Sequence, residues 1–195
     1  MPVKQRRGEE TKQRLLDAAL TVHEQGEFTV QAVQLVSGVS LGSLYHHFGS
    51  FDGLAAALHA RCLAELLDGV VIELERASTA RTGVTAVVTA YITFVMDQPA
   101  KARFLHSSAN AAYLPAYADM IAETKRLRMT RIESWLAPHI AAGSIEDLTD
   151  SLTEILLIGP VAELSRRWLT GAEIDLARTA ELLPPRIWAA LRAGG

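Results

Sequence analysis

His59, Cys62 and Leu66 fall at i, i+3 and i+7, so a helix sets an imidazole and a thiol on one face. Those residue types could make a thiol nucleophile, a redox switch or half of a metal site. Cys62 is the sole cysteine of the 195 residues, which excludes an intrachain disulfide and a four-thiolate zinc site. No third residue is spaced to orient the imidazole, and neither a glycine-rich phosphate loop nor a paired metal motif is present. A small cysteine packed on an apolar helix is therefore the preferred reading of Cys62. His46 and His47 are adjacent, and successive helical side chains diverge by about 100°, so one metal held by both is not expected. The chain is not read as an enzyme, and no cofactor or metal is expected. A thiol-based sensor or helical enzyme using Cys62 and His59 stands as the alternative.

A second group of residues has a different chemistry. Residues 28–51 contain no Asp, Glu, Lys or Arg, yet they carry Thr29, Ser40, Ser43, Tyr45, His46 and His47. Just before them, residues 1–14 hold Lys4, Arg6, Arg7, Lys12 and Arg14 against Glu9 and Glu10. The formal net charge of -3 argues against a generally cationic nucleic-acid binder, while this local arrangement permits a nucleic-acid face. Hydrophobic residues at 49%, charged residues at 21%, 13 Gly and 7 Pro exclude disordered, collagenous and disulfide-scaffold classes. The N-terminus lacks the apolar run of a secretory signal, and no stretch is long and lipophilic enough to span a bilayer. A cytoplasmic, soluble protein with no membrane partner is expected.

The elements that position these residues are helical, because apolar residues recur at helical spacing and no sustained alternation appears. Leu15, Ala18, Ala19 and Val22 mark a first helix over residues 9–25, closed by Gly26. Thr29 caps a short second helix, Ser37-Gly38-Val39 is a tight turn, and Ser40 caps a third helix through His47 that Gly49 ends. Ser50 caps a fourth helix reaching about residue 76. Val84, Val87, Val88, Tyr91, Ile92 and Val95 make the stripe of the next helix, residues 82–96, and Pro99 starts a short one. After a break near Asn110, Pro115 is expected to open a long helix through Trp135 that Pro138 ends. Ser144-Ile145-Glu146-Asp147 has the pattern of a capping box opening a helix to Gly171, kinked at Pro160. The last helix begins near Glu173 and is interrupted at Pro184-Pro185.

Two short helices joined by a glycine-containing turn form a helix-turn-helix, in which residues 29–36 brace and residues 40–47 read the major groove. Val33, Val39 and Leu44 are spaced to seal the angle between them. Arg14-Leu15-Leu16-Asp17-Ala18-Ala19, Gly26, Thr29, Gly38-Val39-Ser40, Leu44-Tyr45-His46-His47-Phe48 and Leu54 resemble the N-terminal domain of the tetracycline-repressor (TetR) family of bacterial transcription regulators. The resemblance covers about the first quarter of the chain. It implies an all-α homodimer of about nine helices per chain, with a three-helix DNA-binding domain over residues 1–50 and a helical ligand-binding and dimerisation domain over residues 51–195. It also implies a double-stranded DNA operator, a small-molecule effector of unknown identity, and usually repression.

By matching positions, Thr29, Gly42, Tyr45 and His47 are expected at phosphates or in close approach to DNA, with the helix N-terminus at Ser40 aimed at the backbone. Ser43 and His46 are expected at base edges. Gln34 and Phe51 depart from the family, which usually has Ala and Lys there. With Phe51 in place of a phosphate-binding Lys, the salt-sensitive part of binding should be small.

In the larger domain, Cys62, Leu66, Tyr91, Phe94, Phe104, Tyr113, Tyr117, Met120 and Trp135 could line an apolar ligand cavity with a few hydroxyl handles. Lys125, Arg126, Arg128 and Arg131 are read as a solvated helix face. Leu152, Ile155, Leu156, Val161, Leu164 and Trp168, with Ile174, Ala177, Ala180, Ile187 and Trp188, exceed what covers one side of a core, so a dimer seam is expected there. A protein of this fold with weakened DNA binding, acting through a protein partner, is the other alternative.

Overall fold

The computed structural model describes residues 3–194. Its helices are α1 (Val3–Glu24), α2 (Val30–Ser37), α3 (Leu41–Phe48), α4 (Phe51–Glu75), α5 (Ala80–Asp97), α6 (Pro99–Leu105), α7 (Ala118–Ala141), α8 (Asp150–Leu169), α9 (Leu176–Leu182) and α10 (Pro184–Leu191). Two 3-10 turns, Ser108–Ala112 and Leu114–Tyr117, lie between α6 and α7. The fold is all-α: no strand occurs among the described residues, and Ile145 and Arg192 form an isolated antiparallel bridge. The side chain of Lys4, first cation of the basic arm, lies outside the described residues.

The N-terminal elements follow from local chemistry. Leu15, Leu16, Ala18, Ala19 and Val22 are buried along α1. The helix begins six residues before the expected start at residue 9, in a polar stretch where Gln13 bonds Glu9 and Arg6 pairs with Glu10. Such i,i+4 pairs support helix without any apolar period. Gly26, at φ 79°, takes the left-handed conformation that ends α1. The Thr29 hydroxyl caps α2 by accepting from the Ala32 N–H at 3.2 Å, and Ser40 caps α3 by accepting from Ser43 at 3.3 Å. Gly38, at φ 65°, makes the turn between them.

Compactness divides the chain into two units: Met1–Leu63 with Phe104–Ala122, and Ala64–Arg103 with Glu123–Gly195. The sequence reading divides the chain by role after residue 50. The compact units are drawn otherwise because Leu54, Ala55, Leu58 and Cys62 of α4 and Phe104 of α6 enter the same core as α1, α2 and α3. In that core Phe28 stands 5.0 Å from Phe51 and 5.6 Å from Phe104, and His23 stands 4.9 Å from Phe104, ring centre to ring centre. Phe51 thus packs inward at the position where Lys was the family expectation.

In the second unit α5 packs on α8, α9 and α10. Val84, Val87, Val88, Tyr91, Ile92 and Val95 are buried along it. Thr79 and Thr82 form a reciprocal capping box that starts α5 at Ala80, two residues before the expected Thr82. Gly83 leaves the slot for the indole of Trp135, since a Cβ there would lie 2.0 Å from Trp135 Cη2. The indole N–H donates to the Ala77 carbonyl at 3.3 Å.

Three further boundaries differ from those read in the sequence. Pro115 lies in the 3-10 turn Leu114–Tyr117, and α7 opens only at Ala118. Pro138 sits inside α7, which continues to Ala141. There, near the helix end, it removes one donor from an exposed turn, and its own carbonyl accepts from Ala142 at 3.0 Å. The helix after Gly143 starts at Asp150 with Thr149 as its cap rather than at Ser144. Ile145 is buried and bridged to Arg192, and the Glu146 N–H donates to the Leu191 carbonyl at 2.9 Å, so this segment is held out of the helix. Pro160 is inside α8 as expected and leaves the Leu156 carbonyl without its helical donor.

Candidate nucleic-acid interface

The turn before α3 is fixed by two hydrogen bonds, one part-buried and one buried. Arg14 of α1 donates to the Ser37 carbonyl at 2.6 Å, and the Ser37 hydroxyl accepts from the Val39 N–H at 3.2 Å. Val33 and Leu44 are fully buried and Val39 nearly so, which seals the two short helices against α1 and α4. Arg14, counted among the cations of the basic arm, therefore braces the turn, and Arg6 is drawn to Glu10. Arg7 remains exposed.

On α3, Leu44 faces the core and Phe48 packs against it, while Leu41, Gly42, Tyr45 and His46 are exposed and Ser43 and His47 are half-buried. Thr29 and Ser40 are exposed at the starts of α2 and α3. Each of these hydroxyls accepts from its own helix and keeps its proton to donate. A Cβ at Gly42 would meet nothing within 4 Å, so its face is open. His47 reaches toward the first turns of α1, where a Cβ on Gly8 would lie 3.9 Å from the imidazole. Partial burial holds the His47 pKa below its usual value, helped by His46 and Lys12 and opposed by Glu9. The His46 and His47 rings stand 5.3 Å apart. No group of three metal-ligating side chains occurs among the described residues.

The residues expected around a ligand divide between the two units. Cys62, Phe104, Tyr113, Tyr117 and Met120 belong to the first, and Leu66, Tyr91, Phe94 and Trp135 to the second. Cys62 and Phe104 are enclosed in the core, Tyr113 and Tyr117 are half-buried, and Met120 is exposed. Leu66 and Tyr91 are buried, while Phe94 and Trp135 are half-buried. Burial pushes the Tyr91 hydroxyl up in pKa, and burial with Asp52 and Cys62 nearby pushes Tyr113 up to about 12. An open cleft of about 280 Å³ in the second unit is lined by other residues: Arg81, Thr85, Ala180, Glu181, Pro184 and Pro185. Cys62 has no solvent exposure, whereas a reactive thiol needs access.

Two polar links were invisible in the sequence. Asn110, read only as a break, is buried and organises the segment after α6. Its amide nitrogen lies 2.8 Å from the Phe104 carbonyl, 3.1 Å from that of Leu105 and 3.2 Å from His59 Nδ1, and its oxygen accepts from Tyr113 at 2.7 Å. Ser50, the expected cap of α4, accepts from the Gly53 N–H at 2.8 Å and shares a 2.9 Å hydrogen bond with the Tyr117 hydroxyl. An asparagine among apolar helices was the one available signal for the first link. The second joins residues 67 apart, beyond any local pattern.

The basic run on α7 is engaged in ion pairs. Arg128 and Arg131 each hold a carboxylate of α4 in bidentate fashion, Asp68 and Glu75, and Lys125 pairs with Glu154. Arg126 binds Glu123. On α8, Leu152 is 42% and Ile155 62% exposed. Leu156, Leu164, Trp168, Ile174, Ala180 and Trp188 are half-buried and Ala177 is exposed. Val161 and Ile187, placed in the same stripe, are buried in their own unit's core.

A helix-turn-helix with its second helix facing outward, inside a wholly helical chain, defines an architecture of DNA-binding regulators. The chain has the fold of the TetR-family transcription regulators. It superposes on such a regulator from Marinobacter aquaeolei VT8 with a TM-score of 0.78 and 17% identity, over 97% of this chain and 100% of that one. A Rhodococcus sp. protein assigned to the same family matches at TM-score 0.70 and 26% identity, over 92% and 97%. FadR from Bacillus subtilis, in complex with stearoyl-CoA, matches at 0.76 and 16%, over 91% and 97%. No family model and no curated protein matches the sequence. No helix among the described residues is long and apolar enough to cross a membrane.

Proposed function

We propose that the chain is a homodimeric, sequence-specific transcriptional regulator of the TetR type, a repressor released from a palindromic operator by a small molecule. The observation that carries this reading is the outward face of α3, capped at Ser40 and braced through Ser37 and Arg14. Thr29, Gly42, Tyr45 and His47 are assigned to the phosphate backbone together with the N-terminus at Ser40, and Ser43 and His46 to base edges. Residues 1–50 are the reading domain and residues 51–195 the effector and dimer domain. The exposed apolar residues of α8, Leu152 and Ile155, support a two-fold seam, because two reading helices must lie about 34 Å apart to meet successive major grooves.

The FadR neighbour holds stearoyl-CoA, so a long-chain acyl-CoA is the first effector to titrate. An effector that favours a non-binding spacing of the two reading helices by about 3 kcal/mol weakens operator affinity roughly a hundredfold. The test is fluorescence anisotropy with the intergenic duplex beside the protein's own gene, with and without acyl-CoA. Tight binding with a shallow salt dependence is expected. Affinity equal to that for unrelated DNA would refute the reading, and an acyl-CoA that binds without changing operator affinity would refute this effector class.

A further inference from the structure

The outward face of α3 lacks the side chains that grip purines in pairs. Arg and Lys take guanine O6 and N7, and Asn and Gln take adenine N6 and N7; Leu41–Phe48 contains none of the four. What the helix offers instead is Leu41, 39% exposed at its first position, with Tyr45, 43% exposed, one turn further on. Residues four apart share a helical face. Gly42 beside them has no side chain and open space above it, so Leu41 can approach a surface without a neighbour holding it off.

The setting of this apolar face selects its occupant. Donor-capable hydroxyls stand at the starts of α2 and α3 on Thr29 and Ser40. At the other end of α3, Lys12 is close enough to lower the pKa of His47. Groups suited to phosphates therefore flank Leu41 on both sides, as a duplex requires and an apolar protein partner does not. In the major groove one exposed group is apolar, the 5-methyl of thymine.

Resting on the reading that α3 enters the major groove, we propose that Leu41 recognises thymine 5-methyl groups and so sets the operator's preference for thymine, while Tyr45 one turn on keeps its place at the phosphate backbone. Thymines at one or two positions of each half-site then carry the specificity, in place of the guanine contacts made by arginine.

The test begins with a site selected by the full chain from a random duplex library, then synthesised with deoxyuridine replacing thymine at one position at a time. Deoxyuridine keeps every hydrogen-bonding group and lacks only the methyl. Each contacted methyl removed should weaken binding about fourfold. Leu41→Ala alters an exposed residue, and circular dichroism checks its fold. This variant should bind the thymine and deoxyuridine forms of that site equally. Equal wild-type affinity for both forms would overturn methyl reading while leaving DNA recognition in place. Full discrimination by Leu41→Ala would overturn the assignment to Leu41. If selection enriches no site over the starting library, the DNA-binding reading falls, and this inference with it.

Discussion

In the unit that carries α2 and α3, buried side chains from α1 through α4 and from α6 meet in one apolar core. In the other unit, Ile132 is the buried residue of α7, and beyond the indole of Trp135 that helix grips its neighbours through the ion pairs of Arg128, Arg131 and Lys125. Apolar packing is short-ranged and insensitive to salt, whereas exposed ion pairs are screened and contribute at most about 1 kcal/mol each. The unit that carries α2 and α3 is thus held by one shared core, as the proposed match to a fixed groove would require. The helix α7 is held by screened ion pairs around the packed anchor of Trp135 at Gly83.

The largest effect expected on this contrast comes from Leu44→Ala. Leu44 is fully buried, and such truncations cost about 2–5 kcal/mol, so urea denaturation should show a much lower midpoint. An unchanged midpoint would mean that the α2–α3 core is not what holds the head together. Arg131→Ala should lower the midpoint far less than Leu44→Ala, because both partners of the pair with Glu75 are about two-fifths exposed and screened by solvent. Repeating the titration in about 1 M salt, where the screening length is near 3 Å, should erase most of that difference. A loss as large as that of Leu44→Ala, or one indifferent to salt, would abolish the distinction between the units.

The smallest effect is a pH dependence inside the reading head. His47 has a folded-state pKa below its unfolded value of about 6.5, so the unfolded chain binds the proton more readily. Stability from neutral His47 is present above about pH 6.5 and is lost as pH falls through the folded value. Comparing wild type with His47→Gln across pH 7.5 to 5 isolates it, and the wild type should lose stability faster on acidification. Parallel curves would show that the imidazole's surroundings in the fold do not disfavour its charge.

The head was also the more legible part of the sequence. Thr29, Gly38, Ser40 and Gly49 are caps and turns whose chemistry is local, and each took the place its residue type dictates. Ser144–Asp147 has an equally local signal, yet Ile145 and Glu146 are captured by Leu191 and Arg192 from the far end of the chain. Pro138 misled for the opposite reason, since near a helix end the loss of one donor is easily tolerated. Aromatic and soft residues grouped by composition, such as Phe104, Met120 and Trp135, fall into different surroundings because side-chain direction and unit membership are set by tertiary packing. At the interface, the sequence marked α3 as uncharged, but only its packing showed that Leu41 points away from the core.

One oxygen atom serves two masters in the head. The Ser50 hydroxyl secures the opening of α4 through Gly53 and at the same moment holds the phenol of Tyr117. A pull on the 3-10 turn that carries Tyr117 is consequently felt two residues beyond the end of α3, with no intervening chain of packed side chains needed to relay it.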